Sequence, residues 1–518
     1  MTEPATESSG SDGAMGRRIG LWLGPALFLV VVGFADLQPG EPQVTRMAAV
    51  ATLMAVWWIS EAIPLAATSL LPLVLYPLLG IMDGRQTAPI YVNHVIFLFV
   101  GGFMIALAME RWGLHERIAL WIIRLIGGGP SRLVLSFMLA SAMLSMWISN
   151  TATSIMMLAI GLAIIGELER TLGQERVRPL STAMLLAIAY GASVGGMATL
   201  VGTPPNLSFV RIFEIVFPDA EPIGFGQWML IGLPLSAGML LVIWLLLTRV
   251  FFRSPPSLRL SREVVLQNYR RLGPLRFAEA VVLVVFLCTA VLWVFRQDLQ
   301  LGGLTVPGWA GLLPFPELID DGTVAMAMAL LLFLIPSRAS DPQAGRAVLD
   351  VGVFRRVPWH IVLLFGGGFA LASGFQSTGL SGYVGQQFAG LEGFSPPLMI
   401  AGVCTVLTFL TELTSNTATT ELFLPILASA ATTLGLNPLM LMVPATLAAS
   451  CAFMMPVATP PNAVIFASGR VRIAEMAKVG LVLNLIAVVL ITLMFYTLGV
   501  TVFAIEPGVL PDWAVGAK

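Results

Sequence analysis

The stretch Ser149-Asn150-Thr151-Ala152-Thr153 lies inside an otherwise apolar run, and the same five residues return as Ser415-Asn416-Thr417-Ala418-Thr419. Each pentapeptide is followed by a second matched segment, which reads Gly202-Thr203-Pro204-Pro205-Asn206 in the first half and Ala458-Thr459-Pro460-Pro461-Asn462 in the second. The chain therefore contains an internal repeat. Polar segments broken by Gly or Pro, at matching places in two apolar repeats, are typical of a ligand-binding site inside a membrane.

The composition places the whole chain in a membrane. Of its 518 residues, 57% are hydrophobic and 11% are charged, whereas a soluble domain is about half apolar and about a quarter charged. The net charge of −1 argues against nucleic acid as a partner, because that partner requires a basic surface. The sequence contains no HExxH motif and no P-loop, which argues against a membrane metalloprotease and an ATP-driven pump. We therefore expect a protein that is not an enzyme.

The expected fold class is an all-α polytopic membrane protein with about eleven transmembrane helices and two re-entrant hairpins. A crossing of about 30 Å of hydrocarbon needs about 20 apolar residues. Crossings are predicted near residues 19–35, 47–62, 64–82, 93–110, 181–201, 227–250, 278–295, 323–336, 359–376, 438–457 and 479–504. Two further runs carry the pentapeptides in their middle, and we predict them as hairpins near residues 131–166 and 380–434.

The distribution of positive charge predicts the orientation. Short cytoplasmic loops carry an excess of Lys and Arg. With the N-terminus inside, 23 of the 28 Lys and Arg residues fall on the cytoplasmic side, and the C-terminus is outside. The first hairpin then enters from the cytoplasm and the second from outside, so the two repeats are inverted, an arrangement that alternating access uses. The expected location is the cell (inner) membrane.

The expected organisation follows the repeat. The segments are a disordered N-terminus (1–16), the first repeat (17–250), a basic cytoplasmic linker (251–277), the second repeat (278–505) and a C-terminal tail (506–518).

The polar tips predict the chemistry of the ligand. A helix that breaks inside a membrane leaves backbone groups unpaired unless protein or water surrounds them. The half-helices that follow Ser149 and Ser415 each present free N–H groups and the positive end of a helix dipole, which suit an anion. Two such ends suit a dianion with charge at both ends. The carbonyl and hydroxyl oxygens at the tips suit a small hard cation such as sodium.

Two neighbouring features strengthen the cation hypothesis. Ser145 lies four residues before Ser149, and Thr411 lies four before Ser415, so each tip has a second hydroxyl one turn back on the same helical face. The Thr-Pro-Pro-Asn segments lack N–H donors at their prolines, so the carbonyls of Gly202 and Ala458 are free to face the tips. The alternative is that these polar residues only bridge packed helices, a common use of Ser, Thr and Asn in membranes.

With the stretch Trp57-Trp58-Ile59-Ser60-Glu61-Ala62-Ile63-Pro64-Leu65, these motifs resemble the divalent anion sodium symporters, which carry dicarboxylates, citrate or sulfate. The resemblance spans about residues 45–500. It implies a homodimer in which a mobile transport domain with two opposed hairpins moves against a scaffold. Its implied sodium sites are Ser145, Ser149, Asn150 and the Gly202 carbonyl in the first repeat, and Thr411, Ser415, Asn416 and the Ala458 carbonyl in the second. Its implied substrate residues are Asn150, Thr151, Asn416, Thr417, Thr203 and Thr459.

The function expected from these observations is sodium-coupled uptake of a C4-dicarboxylate dianion, such as succinate, malate or fumarate, by an elevator-type mechanism. The co-transported ion is Na+, and the other partners are the small dianion and the lipid bilayer. A sodium-independent exchanger, a sulfate symporter and an uncoupled anion channel remain alternatives.

Three carboxylates lie within or beside apolar runs, at Glu61, Glu412 and Glu421. Each is either a coupling or cation-attracting group, or a group that caps a helix or makes a structural hydrogen bond. We favour the second interpretation.

Overall fold

The computed structural model describes residues 10–255, 267, 269–301, 304–338, 346–391 and 393–515. The first half contains α1 Gly10–Phe34, α2 Pro42–Ser60, α3 Leu65–Thr68, α4 Leu71–Leu79, α5 Gly84–Thr87, α6 His94–Arg111, α7 Leu114–Ile126, α8 Pro130–Ser145, α9 Asn150–Leu172, α10 Gln174–Met197, α11 Pro204–Val216 and α12 Phe225–Leu245. The second half contains α13 Phe277–Val294, α14 Asp321–Leu334, α15 Val353–Arg356, α16 Trp359–Thr378, α17 Leu380–Gln386, α18 Pro396–Leu410, α19 Asn416–Thr433, α20 Leu439–Ala449, α21 Pro460–Phe466, α22 Ile473–Met494 and α23 Val500–Val502.

A short hairpin lies between α13 and α14. Strands β1 Leu299–Leu301 and β2 Leu304–Val306 pair antiparallel, with Gln300 opposite Thr305. Helix α12 continues as the π-helical turn Leu246–Phe251, and α22 continues as the π-helical turn Phe495–Gly499. The sequence pattern did not predict these features, because each is a few residues long and changes neither composition nor periodicity.

The apolar helices confirm a multi-pass membrane protein. Among the described residues, eight helices are long and apolar enough to cross a membrane, and five apolar helical segments of 10–17 residues are shorter. The shorter segments include α8, α18 and α20, which end at polar breaks. The expected number of eleven crossings stays a prediction.

Both pentapeptides lie where a helix stops and a new one begins. Helix α8 ends at Ser145 and α9 begins at Asn150, while α18 ends at Leu410 and α19 begins at Asn416. Both helices that lead into the tips have proline in their first turn, where no N–H is needed. Each polar tip therefore joins two helices, while the re-entrant course of these helices stays a prediction.

Small residues bring α10 against α8. A Cβ at Gly191 would lie 2.6 Å from the carbonyl oxygen of Met138, and one at Gly195 would overlap the backbone of Ala142. Such close backbone approach is a common basis of helix packing in membranes. Residues 191–195 also have Gly-x-Ser-x-Gly spacing, but they lie inside α10 rather than at the strand-to-helix turn of a hydrolase nucleophile.

The helix that begins at each Pro-Pro pair packs against the other repeat. Helix α11 of the first repeat packs against α19 of the second, and α21 of the second packs against α9 of the first. Each Thr-Pro-Pro-Asn segment thus begins a helix that lies beside the other repeat's tip helix.

The ends of the expected segments are only partly described. Helix α1 begins at Gly10, so the polar segment 1–16, which the sequence predicts as disordered, is helical from residue 10, and residues 1–9 lie outside the described part. Most of the expected linker 251–277 also lies outside it. In the tail, Trp513 packs edge-on against Phe213 and Phe217 at the end of α11.

Candidate functional site

The first tip gathers three oxygen-bearing groups. The Ser145 hydroxyl donates to Oδ1 of Asn150 across the turn 146–149. A Cβ added to Gly196 would lie 2.8 Å from this Oδ1 and 3.0 Å from the carbonyl oxygen of Gly202. Because Gly196 has no side chain, the Asn150 amide and the Gly202 carbonyl can approach each other here. Ser149 precedes α9 without a side-chain capping bond, so its hydroxyl is not committed to the helix end.

The second tip repeats this arrangement. Thr411 Oγ1 lies 2.6 Å from Oδ1 of Asn416 and 2.9 Å from the carbonyl oxygen of Ala449. A hydroxyl has one proton, so it can donate to only one of these two acceptors at a time. The three oxygen atoms therefore offer more lone pairs than there are protons to occupy them. This surplus of lone pairs favours the binding of a cation. Ser415 precedes α19 and also lacks a side-chain capping bond.

The chain is also broken between the helices that face the tips, α10 and α11 in one repeat and α20 and α21 in the other. At each break, one asparagine side chain bonds to the free backbone carbonyls. Asn206 Nδ2 lies 2.7 Å from the Thr199 carbonyl oxygen, between α10 and α11. Asn462 Nδ2 lies 3.1 Å from the carbonyl oxygens of both Ala452 and Met455, between α20 and α21. Each asparagine is fully buried. The Asn of each Thr-Pro-Pro-Asn segment thus replaces helical partners that the broken backbone has lost.

A buried carboxylate also bonds to the broken backbone between α20 and α21. Glu412 accepts hydrogen bonds from the backbone N–H groups of Phe453, Met454 and Met455 at 2.7–2.9 Å. Asn484 Nδ2 donates to the same carboxylate at 2.7 Å. Four donors aimed at two oxygens suit an ionised carboxylate, so Glu412 has the structural role that we favour from the sequence.

Glu61 also has the favoured role. It occupies the left-handed position that ends α2, with φ 47°, and forms an exposed ion pair of 3.2 Å with Arg17. It lies outside the tip contacts described above. The remaining carboxylate, Glu421, is fully buried on α19, one turn beyond Thr417.

The predicted site residues fall into two clusters. The structure joins Ser145, Asn150 and Gly202 in one cluster, and Thr411 and Asn416 in the other, with Ser149 and Ser415 directly before the tip helices. Thr151 and Thr417 lie in the first turns of α9 and α19, Thr203 and Thr459 directly precede α11 and α21, and Ala458 lies in the turn before Thr459. These placements leave the assigned ligand roles as predictions.

Sequence reasoning missed the carbonyl of Ala449 and the two asparagines that hold the breaks. The asparagines were detectable, because Asn206 and Asn462 end the repeated segments. Ala449 carried no side-chain signal, since only its backbone oxygen is used.

The comparisons with known proteins agree with this architecture. A family model described as the sodium:sulfate symporter transmembrane region matches residues 24–505. A protein of Staphylococcus saprophyticus named sodium-dependent dicarboxylate transporter SdcS is 39% identical over 497 residues, which are 95% of this chain and 93% of that protein. The protein of the same name from Staphylococcus aureus strain MRSA252 is 41% identical over 496 residues, with the same coverage of both chains.

Two solved structures share the fold at low sequence identity. One is Neisseria gonorrhoeae MtrF, whose title places it in a class of antimetabolite efflux pumps, with a TM-score of 0.56 and 14% identity over 93% of this chain and 98% of that chain. The other is the Alcanivorax borkumensis YdaH transporter, with a TM-score of 0.54 and 12% identity over 95% and 98%.

Replacing Glu412 with Gln should destabilise the protein by about 2 kcal/mol or more, because an amide nitrogen would face backbone donors that now meet a carboxylate. The measurement is the thermal unfolding temperature of the purified protein. The matched control is Glu110→Gln, since Glu110 forms a partly exposed ion pair with Arg356, and such pairs contribute about 1 kcal/mol or less. Equal unfolding temperatures for the two variants would contradict the structural role of Glu412.

Proposed function

Because the chain belongs to the family described as the sodium:sulfate symporter transmembrane region, we propose that this transporter couples sodium entry to uptake of a C4-dicarboxylate dianion such as succinate, malate or fumarate. The observation that carries the proposal is the paired tip. In each repeat a hydroxyl one turn back meets the amide oxygen of the tip asparagine, at the start of a new helix.

The oxygen clusters support sodium as the coupling ion. Hydroxyl, amide and backbone carbonyl oxygens are neutral hard ligands, which match a small hard cation. We assign one sodium to Ser145, Ser149, Asn150 and Gly202. We assign another to Thr411, Ser415, Asn416 and Ala458, with Ala449 as an added ligand. The two relatives are named sodium-dependent, which agrees with this assignment.

The two helix starts support a dicarboxylate as the substrate. Helices α9 and α19 each begin at an Asn-Thr pair, and the free N–H groups of a first turn attract a negative charge. Two such starts match the separated charges of a four-carbon dicarboxylate better than the compact charge of sulfate. We assign the substrate contacts to Asn150, Thr151, Asn416 and Thr417, with Thr203 and Thr459 beside them.

The ion pairs support the proposed orientation. The pairs Arg178–Glu475 and Arg470–Glu169 lie at helix ends and a loop that the arginine distribution assigns to the cytoplasm, and Arg296–Asp321 joins two residues assigned to the outside. We therefore propose eleven crossings, two inverted hairpins, a cytoplasmic N-terminus and an external C-terminus in the cell membrane. The homodimer implied by the resemblance belongs to the same proposal.

A cavity beside the first tip supports alternating access by an elevator movement. Thr153 lines a cavity of about 230 Å³ together with Glu110 and His115, which the orientation places near the cytoplasm. A movement that carried both tips across the membrane would close this side and open the other.

Ser149→Ala and Thr411→Ala should each raise the sodium concentration for half-maximal succinate uptake about fivefold, since one lost oxygen ligand is worth about 1 kcal/mol. Uptake at saturating sodium should change less. The control is Ser136→Ala, because this buried hydroxyl on α8 bonds to the Leu133 carbonyl, away from the tip. An unaltered sodium dependence in both tip variants would refute the assigned sites.

A cysteine at Thr153 should react mainly with a cytoplasmic membrane-impermeant reagent, and one at Thr419 mainly with an external reagent. Both labelling rates should change when sodium and succinate are added. The exposed native Cys288 is first replaced by Ser in both variants. Labelling of either cysteine from both sides, insensitive to ligand, would indicate a channel instead.

Sodium-driven uptake of labelled succinate should be inhibited by excess malate or fumarate and only weakly by sulfate. It should also fall as the pH approaches the carboxyl pKa values, which are about 4 for model groups, because the dianion becomes scarce. Strong inhibition by sulfate with none by malate or fumarate would favour the sulfate alternative and leave the transporter proposal intact.

A further inference from the structure

The carboxyl group of Glu421 is buried between three helices with one hydrogen-bond partner. It projects from α19, and the Ser208 hydroxyl on α11 donates to its Oε1. Its Oε2 is buried and has no hydrogen-bond partner within the described part of the chain. The contrast with Glu412 is direct, because that carboxylate accepts four hydrogen bonds.

Helix α16 makes room for this carboxyl group. Gly368 faces Oε2 so closely that a Cβ at position 368 would overlap the carboxyl group. Helix α16 also packs against α11 and α19. The glycine therefore covers the carboxyl group with bare backbone and supplies no side-chain partner.

No cation compensates for the carboxyl group among the described residues. The titratable groups on the helices that pack against α19, and in the adjoining apolar cluster, are Arg46, Arg211, Glu214, His360, Tyr383, Tyr76 and Tyr91. The two arginines bond to the Leu79 carbonyl and to Glu214, His360 is exposed, and the two buried tyrosines donate to the Ala370 and Ser69 carbonyls. A buried carboxyl group without a counter-charge takes up a proton, because its ionised form lacks solvation.

The other repeat packs without this group. At the positions that match Glu421 and Ser208, the other contact has Ile155 on α9, whose side chain is exposed, and Val464 on α21, which is half-buried. The fully buried carboxyl group at position 421 therefore has no counterpart at the matching contact. Burying it costs desolvation, and an ionisable residue inside a membrane segment indicates a role other than stability.

We propose that Glu421 is a proton-binding site, which holds one proton while α16 covers it and releases that proton to water when the cover opens. The chemical change is the loss of H+ from a neutral carboxylic acid to give a carboxylate, with no other reactant. The bound proton follows from the contacts of Glu421 alone. The opening rests on the proposed elevator movement.

Infrared spectroscopy of the purified protein near neutral pH tests the bound proton without any transport. The wild-type spectrum should contain the carbonyl band of a protonated carboxylic acid, which shifts in D2O. The band should be missing from Glu421→Gln and retained in Glu214→Gln, which removes a carboxylate paired with Arg211. Loss of only carboxylate bands in Glu421→Gln would overturn the proposal, whether or not the protein transports succinate.

Uptake at alkaline pH, where succinate is fully dianionic, tests the release step. Wild-type uptake should fall as the pH rises, by up to about tenfold per unit for a single proton, because the opened site must regain its proton before it closes. Glu421→Gln should transport with a flat profile. Ser208→Ala should move the fall to higher pH, since the ionised form loses its one donor. Identical profiles for the wild type and Glu421→Gln would overturn release.

Discussion

A helix that stops inside hydrocarbon exposes N–H and C=O groups that lipid cannot satisfy. The described structure contains four helix breaks, at residues 146–149, 198–203, 411–415 and 450–459, and the proposed topology places them within the membrane. The breaks that face the tips are held mainly by side chains, above all Asn206 and Asn462. The tips themselves keep hydroxyl, amide and carbonyl oxygens close together. The proposed ligand site thus consists of backbone and neutral side-chain groups at the two tips.

The two repeats satisfy this constraint in different ways. The Glu412 carboxylate holds the break at residues 450–459. Met146 lies at the matching position of the first repeat, where the Thr199 hydroxyl donates to the Met146 carbonyl. A carboxyl group, that of Glu421, lies between α11 and α19, whereas the matching positions 155 and 464 carry apolar residues. A symmetric fold therefore carries an asymmetric set of ionisable groups, and the proposed proton site at Glu421 uses none of the side chains assigned to sodium or the substrate.

Repetition made the tips and their facing segments predictable, because a polar pentapeptide that occurs twice in apolar runs has few structural uses. The tips were located to within a few residues, and the resemblance to sodium symporters of divalent anions is confirmed by the family match. Contacts between helices that are far apart in the sequence were not predictable in this way. The packing of α11 on α19 and the use of the Ala449 carbonyl depend on three-dimensional approach, which leaves no trace in side-chain pattern. Glu421 was visible as a charge in an apolar run, but its single partner and the cover by Gly368 required the structure.

Sodium coupling is tested by uptake of labelled succinate by the purified protein in liposomes. We expect accumulation when sodium is higher outside than inside, and little uptake when potassium replaces sodium on both sides. A reversed sodium gradient should drive preloaded succinate out. Equal uptake with and without sodium would contradict coupling, and the oxygen clusters at Asn150 and Asn416 would then need a role other than holding the driving ion.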